Sequence, residues 1–380
     1  MVTLRQLPLL AAAAAAVQAR SAKDIASAAE AMVLGSFVAD AAGMSLHWIY
    51  SQSEIADLVG SGSPIFFSPP SCPFYNYPLG SGTPYGQQTE VTLSVGAAGG
   101  GWAPSAYEAA YYALYKAGGP ASKAAYYFDV RAARARACEE VPTPRFAPTT
   151  ARPWSAQAST KEFVSNVAAG RHWPSCGGND DQADAVAHVV PVVALFGGNT
   201  SKMLSVADTV IRVTQNTDNG VAFGLAAARV LEHVLVGGLA GGAAVAAAVA
   251  DMRKADRAQP YAQDAALATR MEEATSAANL AMDYSAFVLA NGQSCDWPFQ
   301  LSAVANLLAR GANYTAATSL AILAGGDSAS RNMFAGAANA AMLGDKAALP
   351  ADWVAKTTAY PTLAPLAAQL VAQRAALARL

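Results

Sequence analysis

Alanine-rich segments with helical periodicity run through most of the chain and limit its fold more than any other feature. Within them, larger apolar residues recur at intervals of three and four, which places them on one face of a helix. Alternation of period two between turn signals, typical of half-buried strands, is hard to find. The pattern therefore predicts an all-α fold. The predicted helices cover residues 26–50, 104–117, 157–169, 181–197, 201–213, 219–236, 261–281, 300–311, 315–324, 330–343 and 362–380.

The composition indicates a large core and gives no sign of a nucleic-acid partner. Of 380 residues, 53% are hydrophobic and 14% are charged, which suits one big domain or two ordinary ones. The net charge is −2, and Lys and Arg are scattered, so no basic surface is available for phosphate backbones. Because the composition does not change across the Pro-rich stretch 141–154, we expect a single domain over 22–380 with a surface connection there.

The N-terminus "MVTLRQLPLLAAAAAAVQARSA" combines a basic start, an apolar run and a small-residue end. This pattern is typical of a secretory signal or an organelle transit peptide, so we predict that residues 1–21 are removed and that the protein is secreted or organelle-targeted. The alternative is an extension of the first helix in a cytoplasmic protein. The uncharged run at 234–250 consists of Gly and Ala, which favours a loop between two buried helices over a membrane span.

The four cysteines, Cys72, Cys138, Cys176 and Cys295, are too few and too widely spaced for a disulfide scaffold, and no CxxC pair is present. We expect buried free thiols. A Cys176–Cys295 disulfide is an alternative for a secreted chain. Either cysteine also lies between a small residue and an acid, which leaves cysteine-based hydrolysis as a minor hypothesis.

Two Gly-rich stretches precede predicted helices. In "LAGGDSASRNMFAG" (323–336), two glycines permit close approach of backbone to a ligand, and Asp327, Ser328 and Ser330 stand at N-cap positions. In "SCGGNDDQADAVAH" (175–188), the spacing predicts an N-cap at Asn179 with acids in the first turn. Free N–H groups at a helix start favour anions such as phosphate, so each stretch is either a ligand cradle or a plain cap.

Two further stretches place polar residues in apolar surroundings. Asp40 is the one acid in the apolar run "LGSFVADAAGMSLHW", and a buried acid must be paired or hydrogen-bonded. His47 lies two turns further along the same face if the helix continues past Gly43. "YGQQTE" (85–90) begins at the end of the long aromatic loop 59–88 and is either an N-cap or a ligand-facing edge. We expect that loop to line a site.

The order of these four stretches resembles that of the ADP-ribosylglycohydrolase family over about residues 30–357. The most specific piece is "GGDSASRNMFAGAANAAMLG", and "GDKAALPADWVAKT" is similar to the family's closing pattern of a Gly turn, a Pro and a Trp. The resemblance implies a large orthogonal helical bundle. It also implies two magnesium ions between clustered acids, with water cleaving the N- or O-glycosidic bond of ADP-ribose on a modified side chain.

The chain departs from the family's motifs at the acids. The first motif, Gly-Asp-Ala-Leu-Gly followed four residues later by Glu, keeps Asp40 and Gly43 but has His47 in place of the Glu. The second, Thr-Asp-Asp-Thr, reads "GQQT" here, so two neutral amides replace two acids.

The last motif of the family, Gly-Gly-Asp-Thr-Asp, keeps Asp327 and has Ala329 in place of its second acid. Since Mg²⁺ needs carboxylate charge, Asp327 remains as a candidate metal ligand, with Glu90, Asp180 or Asp181 as acids that could compensate for those lost. We expect no standard two-metal site, and Mg²⁺ binding stays an alternative. The pattern is similar to the divergent branch of the J-crystallins and the selenoprotein J group.

We therefore predict a pocket that hydrolyses or binds an ADP-ribosyl ligand or an ADP-ribosylated substrate. The alternative is a catalytically silent, crystallin-like structural protein. The candidate catalytic residues are Asp180, Asp181, Glu90 and Asp40. The candidate ligand-binding residues are His47, Gln87, Gln88, Thr89, Gly177, Gly178, Gly325, Gly326, Ser328 and Ser330.

Overall fold

A computed structural model describes residues 20–75, 77–99, 101–116 and 158–377. Over these ranges the chain is helical and contains no strand, which confirms the predicted all-α fold. Most of the predicted leader (1–19), the connection at 141–154 and Cys138 lie outside the described residues. The described α-helices are α1 Ala22–Gly43, α2 Gln52–Val59, α3 Pro84–Ala97, α4 Pro104–Tyr115, α5 Ala158–Ala168, α6 Ala185–Phe196, α7 Thr200–Thr214, α8 Asp218–Leu235, α9 Gly241–Arg253, α10 Asp264–Ala274, α11 Ala277–Ala281, α12 Tyr284–Asn291, α13 Trp297–Ala309, α14 Tyr314–Leu323, α15 Ser328–Leu343, α16 Ala351–Lys356, α17 Tyr360–Ala372 and α18 Arg374–Leu377.

Helices α1 and α15 pack against each other at the centre of the molecule, and small residues bring them close together. A Cβ added to Gly35 would lie 2.2 Å from the Cβ of Ala340, and one added to Gly336 would lie 2.5 Å from the Cβ of Ala39. Neither contact is compatible with van der Waals radii, so both glycines are required by the packing. This pair of helices carries Asp40 at one end and Asp327 at the start of the other.

Helix α1 with the turn after it, Ala22–Leu46, is long and apolar enough to cross a bilayer by length and composition alone. However, 78% of its most apolar window is buried inside the protein. A core helix of a bundle has the same composition, because it is apolar on all sides. The packing of α1 against α15 accounts for its hydrophobicity.

Some predicted elements differ from the structure. The run at 234–250 was expected to be a loop, but most of it forms α9, which begins at Gly241. A Cβ on Gly241 would lie 2.8 Å from the carbonyl oxygen of Leu308, so the glycine permits this helix start to pack closely on α13. Helix α3 was not predicted as a helix, although Pro84 stands in its first turn, where proline is favoured.

The described cysteines, Cys72, Cys176 and Cys295, are free and buried, so the alternative of a Cys176–Cys295 disulfide is wrong. The Cys176 thiol donates to the carbonyl oxygen of Val213 at 3.2 Å. Burial raises the pKa of Cys176 to about 12 and raises that of Cys295 well above its ordinary value. Because the thiolate is the nucleophile, these environments disfavour cysteine-based hydrolysis.

Candidate functional site

The carboxylate of Asp40 is completely buried near the C-terminal end of α1 and holds the start of α3. Thr83, the N-cap of α3, donates to it twice, from the backbone N–H to Oδ2 at 2.8 Å and from the hydroxyl to Oδ1 at 2.5 Å. A Cβ on Gly86 would lie 2.4 Å from Oδ2, so glycine is needed beside the acid. Burial raises the pKa of Asp40 to about 7, against the effect of the Thr83 hydrogen bonds.

Asp327 is the N-cap of α15, as predicted, and lies completely buried among hydrogen-bond donors. Its Oδ2 accepts from the Tyr85 hydroxyl at 3.0 Å and from the Ser330 hydroxyl at 2.7 Å, and its Oδ1 accepts from the Ser330 backbone N–H at 3.5 Å. Burial raises the pKa of Asp327, while these hydrogen bonds and the charge of Arg331 lower it. Asp327 therefore joins α3 to α15.

His47 reaches Asp327 from the 3₁₀ turn Met44–Leu46, because α1 ends at Gly43 and does not continue to position 47. Its Nδ1 accepts a hydrogen bond from the Ala329 backbone N–H at 3.2 Å. The proton of the neutral ring is therefore on Nε2, which faces Asp327 Oδ1 at 3.6 Å. Burial lowers the pKa of His47 well below its ordinary value, so the ring stays neutral.

Arg331 is a fully buried cation one helical turn after Asp327. Its guanidinium donates to the side-chain oxygen of Gln300 at 3.2 Å, to the carbonyl oxygen of Ala321 at 3.0 Å and to that of Gly325. These carbonyl oxygens lie at the end of α14 and in the turn before α15. Arg331 thus fixes the Gly-rich turn and places a positive charge beside Asp327.

A second group of buried acids, Asp180 and Asp184, lies next to Gln88 on α3. Ser159 donates its hydroxyl to Asp184 Oδ2. Several buried polar atoms here have no hydrogen-bond partner of good geometry within the described residues. They are Asp184 Oδ1, Asp180 Oδ2 and both polar atoms of the Gln88 amide. The Gln88 amide nevertheless lies near enough to Asp184 to lower the pKa of that acid.

The pKa values of Asp180 and Asp184 are both raised strongly. Burial raises the pKa of Asp184, and the negative charge of Asp327 raises it further. The pKa of Asp180 is raised by burial first and by the charge of Asp184 second. Two carboxyl groups that share a buried site cannot both ionise readily, so the pair retains a proton near neutral pH.

Asp181, the next residue of the same loop, lines a cavity of about 430 Å³ that includes neither Asp180 nor Asp184 in its lining. The Asn219 side chain donates to its Oδ2 at 3.0 Å. Arg212 forms an ion pair of 2.6 Å with Asp218, another residue of the lining. The lining is polar and consists of Asn179, Asp181, Asn216, Thr217, Asp218 and Asn219.

The loop that carries these acids is not a helix start, so the predicted N-cap at Asn179 is wrong. Helix α6 begins at Ala185, with Asp184 as its N-cap residue. Before it, Gly178 forms a bridge with Gln215, and Gln182 forms one with Asp296. In these pairings the N–H groups of Gly178 and Ala183 donate to the carbonyl oxygens of Thr214 and Cys295, outside any helix.

The polar residues of α3 have different surroundings. Of the two alternatives for "YGQQTE", the N-cap is wrong, because Thr83, two residues before this stretch, caps the helix. Gln87 donates to the Tyr77 hydroxyl at 3.2 Å, and the buried Thr89 hydroxyl lies 3.0 Å from the carbonyl oxygen of Tyr85. Glu90 is exposed, away from Asp40 and Asp327. Its proposed catalytic role stays a prediction without geometric support.

The four candidate glycines mainly permit close passage of backbone. Gly325 and Gly326 have φ of +74° and +64°, and the N–H of Gly326 donates to the carbonyl oxygen of Ile49 at 2.7 Å. Gly177 and Gly178 pack against the end of α7, where a Cβ on Gly177 would lie 2.4 Å from the carbonyl oxygen of Arg212. These packing contacts explain why glycine is present at the four positions, so the ligand-binding role of the glycines stays a prediction.

The start of α15 is already satisfied by the protein. The N–H groups of Asp327 and Ser328 donate to the carbonyl oxygens of Gln293 and Gly326, both at 2.8 Å. Those of Ala329 and Ser330 donate to His47 and Asp327. The Ser328 hydroxyl, by contrast, is buried and has no partner within the described part of the chain. A phosphate cradle built from backbone N–H groups is therefore not favoured here.

Aromatic residues of the 59–88 loop cover this cluster, as the prediction of a site-lining loop requires. Tyr75 and Tyr77 are stacked with ring centroids 4.5 Å apart, and Tyr75 donates its hydroxyl to the carbonyl oxygen of Met44 at 3.1 Å. Trp48 packs against Phe74 edge to face at 5.3 Å. The rings exclude water from the cluster and strengthen the electrostatic interactions inside it.

Sequence reasoning missed Tyr85, Ser159, Asp184 and Arg331. Asp184 lies in "DDQADAVAH", where an acid flanked by alanines fits a predicted helix. Arg331 is visible as the one charge in the interior of an otherwise uncharged helix, which is a signal for a buried ion. Tyr85 and Ser159 carried no signal, since each becomes informative only through its contact with a distant acid.

Comparisons with known proteins agree with the all-helical fold. The family model described as ADP-ribosylglycohydrolase matches residues 21–378. Crystallin J1B of Tripedalia cystophora is 26% identical over 92% of this chain and 98% of the relative, and Crystallin J1A of the same organism is 26% identical over 90% and 95%. A solved structure titled "ADP-ribosylglycohydrolase-related protein complex" has a TM-score of 0.60 at 17% identity and covers 93% of this chain. The chain therefore belongs to the ADP-ribosylglycohydrolase family.

Proposed function

We propose that this protein binds an ADP-ribosyl ligand at the buried cluster of Gln88, Asp180 and Asp184, and that the two acids hydrolyse its glycosidic bond. Members of the family act on ADP-ribosylated substrates. The outer cavity at Asp181 lies directly beside Asp180 and has the volume of a small-molecule site.

One observation carries the proposal: the polar atoms of Gln88, Asp180 and Asp184 that lack a partner within the described residues. Each buried polar atom without a hydrogen bond costs about 1–3 kcal/mol of folding free energy. A fold keeps such groups together when a bound polar molecule or water satisfies them. Ribose hydroxyls, which donate and accept, suit an amide between two carboxyl groups.

The two acids have the properties that glycoside hydrolysis needs. Hydrolysis uses one protonated carboxyl group, which gives its proton to the leaving group, and one carboxylate, which takes a proton from the attacking water. Both acids have a raised pKa, so the proton that the pair retains makes one of them the acid and leaves the other as the base. The Ser159 hydrogen bond holds Asp184 in position.

The test is an assay of the full chain on peptides ADP-ribosylated at arginine or serine, with released ADP-ribose measured by mass spectrometry. We expect release by the wild type and a loss of about 100-fold or more in Asp184→Asn, the range typical of general acid–base catalysis. Asp352→Asn is the control, because Asp352 is an exposed acid on α16. Equal release by wild type and Asp184→Asn would reject the catalytic roles.

The second candidate function is that of a catalytically silent, crystallin-like structural protein. The two J1 crystallins favour it, since each matches the chain over nearly its whole length. Under this alternative the same assay gives no ADP-ribose, and the purified protein does not bind ADP-ribose. Binding without release would instead support a pocket that has kept recognition and lost catalysis.

A further inference from the structure

Members of this family generally depend on a metal ion, often Mg²⁺. The residues present here do not fit such a centre. Among the described residues, no group of three or more His, Cys, Asp or Glu side chains is arranged to hold a metal ion. The positions that the family's motifs fill with acids carry His47, Gln87, Gln88 and Ala329, which are neutral. Asp40, the acid kept from the first motif, already accepts two hydrogen bonds from Thr83, so Asp327 is the remaining acid to examine as a ligand.

Donor groups surround the carboxylate of Asp327. A carboxylate offers about four acceptor positions, two on each oxygen. Both positions of Oδ2 are used by the hydroxyls of Tyr85 and Ser330, at 3.0 and 2.7 Å. On Oδ1, the backbone N–H of Ser330 donates at 3.5 Å, and the Nε2–H of His47 lies 3.6 Å away without forming a hydrogen bond. A metal ion on Oδ1 would have to lie beside these two N–H groups.

The charge around Asp327 also disfavours a divalent cation. Arg331 is a permanent positive charge, completely buried and fixed by Gln300 and two backbone carbonyl oxygens. It is close enough to Asp327 and to His47 to lower the pKa of both. A metal ion would bring a second positive charge into the same water-excluded region, where repulsion is strong.

We propose that Asp327 binds no divalent cation in this protein. The N–H and O–H donors of Tyr85, Ser330 and His47 occupy the space around its carboxylate in which a cation would lie. Asp327 then serves as the hydrogen-bond acceptor that joins α3 to α15. This inference concerns the cation alone and does not depend on the ADP-ribosyl ligand, so its failure would leave the proposed function standing.

The experiment titrates Mn²⁺ and Mg²⁺ into the chelator-treated full chain without ligand, with free Mn²⁺ followed by electron paramagnetic resonance and unfolding followed by calorimetry. We expect no Mn²⁺ uptake at micromolar concentration and no change of melting temperature in millimolar Mg²⁺. Uptake that persists in Asp327→Asn would place a cation elsewhere and also agree with the proposal. Uptake that Asp327→Asn abolishes would overturn it.

A second measurement covers the case in which Asp327→Asn does not fold. Nitrogen-15 NMR of the histidine-labelled wild type reports which ring nitrogen carries the proton in each of the four histidines. We expect His47 to remain in the Nε2–H form, with signals unchanged by Mg²⁺ and not selectively broadened by Mn²⁺. Tyr85→Phe removes one donor to Asp327, and Tyr314→Phe is the control, since Tyr314 also donates one buried hydrogen bond. Selective broadening of His47 in the wild type would contradict the proposal.

Discussion

Thr83 donates two hydrogen bonds to Asp40, one from its backbone N–H at 2.8 Å and one from its hydroxyl at 2.5 Å. The two residues are 43 positions apart, and both are completely buried. Through this pair the interior of α1 fixes the first turn of α3, the helix that carries Tyr85 and Gln88. The acid that looked isolated in the sequence therefore has a structural partner.

We expect Asp40→Ala to lower the free energy of unfolding by about 2–5 kcal/mol, because it leaves two buried donors of Thr83 unsatisfied. Asp40→Asn keeps an acceptor and should cost less. Thr83→Ser keeps both donors and is the matched control. Urea denaturation followed by circular dichroism measures all three. A loss in Thr83→Ser as large as that in Asp40→Ala would contradict the account.

The stability should fall as the pH rises above neutral. The folded-state pKa of Asp40 is about 7, above its value in the unfolded chain, so the folded state binds the proton more tightly. The stabilisation from this proton is complete at low pH and is lost as the pH passes through 7. Between about pH 6.5 and 8.5, Asp40 alone should account for a decrease of about 1 kcal/mol.

The comparison of wild type with Asp40→Asn isolates this effect, because the variant cannot titrate at position 40. We expect its stability to decline less steeply over the same range, which urea unfolding at each pH measures. Measurements start at about pH 6.5 because of buried His188, whose pKa is lowered to about 3. Below the unfolded-state pKa of histidine, about 6.5, His188 makes stability rise with pH, which opposes the effect of Asp40. Parallel curves for the two proteins would show that Asp40 does not titrate there.

Substitution of Gly336 tests the contact between α1 and α15. In Gly336→Ala the new Cβ would lie 2.5 Å from that of Ala39, so the helices must separate. We expect a loss of about 1–3 kcal/mol, which the better helix propensity of alanine offsets only in part. Adding Ala39→Gly should restore most of the loss, as measured by thermal unfolding. A double variant no more stable than the single one would argue against this contact.

Gln88 should favour function at the expense of stability. Gln88→Leu removes a buried amide that has no partner within the described residues, so we expect stability to rise by about 1 kcal/mol while ADP-ribose binding weakens. Gln215→Leu is the control: Gln215 is also buried, but its amide donates to the carbonyl oxygen of Gln182 at 2.7 Å, so this variant should be less stable. Thermal unfolding and calorimetric titration measure both effects, and equal destabilisation would show that the Gln88 amide is satisfied.

The helical elements could be predicted because alanine content and apolar spacing act locally. Helices such as α7 and α15 begin and end within two residues of the predicted bounds. The exceptions occur where tertiary contacts decide. Gly241 starts a helix because α13 packs against it, and the loop before α6 stays extended because Gly178 and Gln182 pair with distant backbone.

The site was harder to predict because a residue belongs to it only if its side chain faces the interior, and sequence does not show which way a side chain faces. Asp180 and Asp181 are adjacent and equally acidic, yet one is buried beside Asp184 and the other faces an outer cavity. Asp40, His47, Gln88 and Asp327 were predicted and do lie in the interior. Asp184 was not predicted, because no local pattern distinguishes an inward-facing acid at a helix start from a capping one.

Calorimetric titration of ADP-ribose into the full chain, with and without magnesium, tests the central claim most directly. We predict binding with micromolar affinity that is unchanged when magnesium is replaced by a chelator, and that is weakened in Gln88→Leu. Absence of binding to the folded wild type under both conditions would contradict the claim that this cluster is an ADP-ribosyl site.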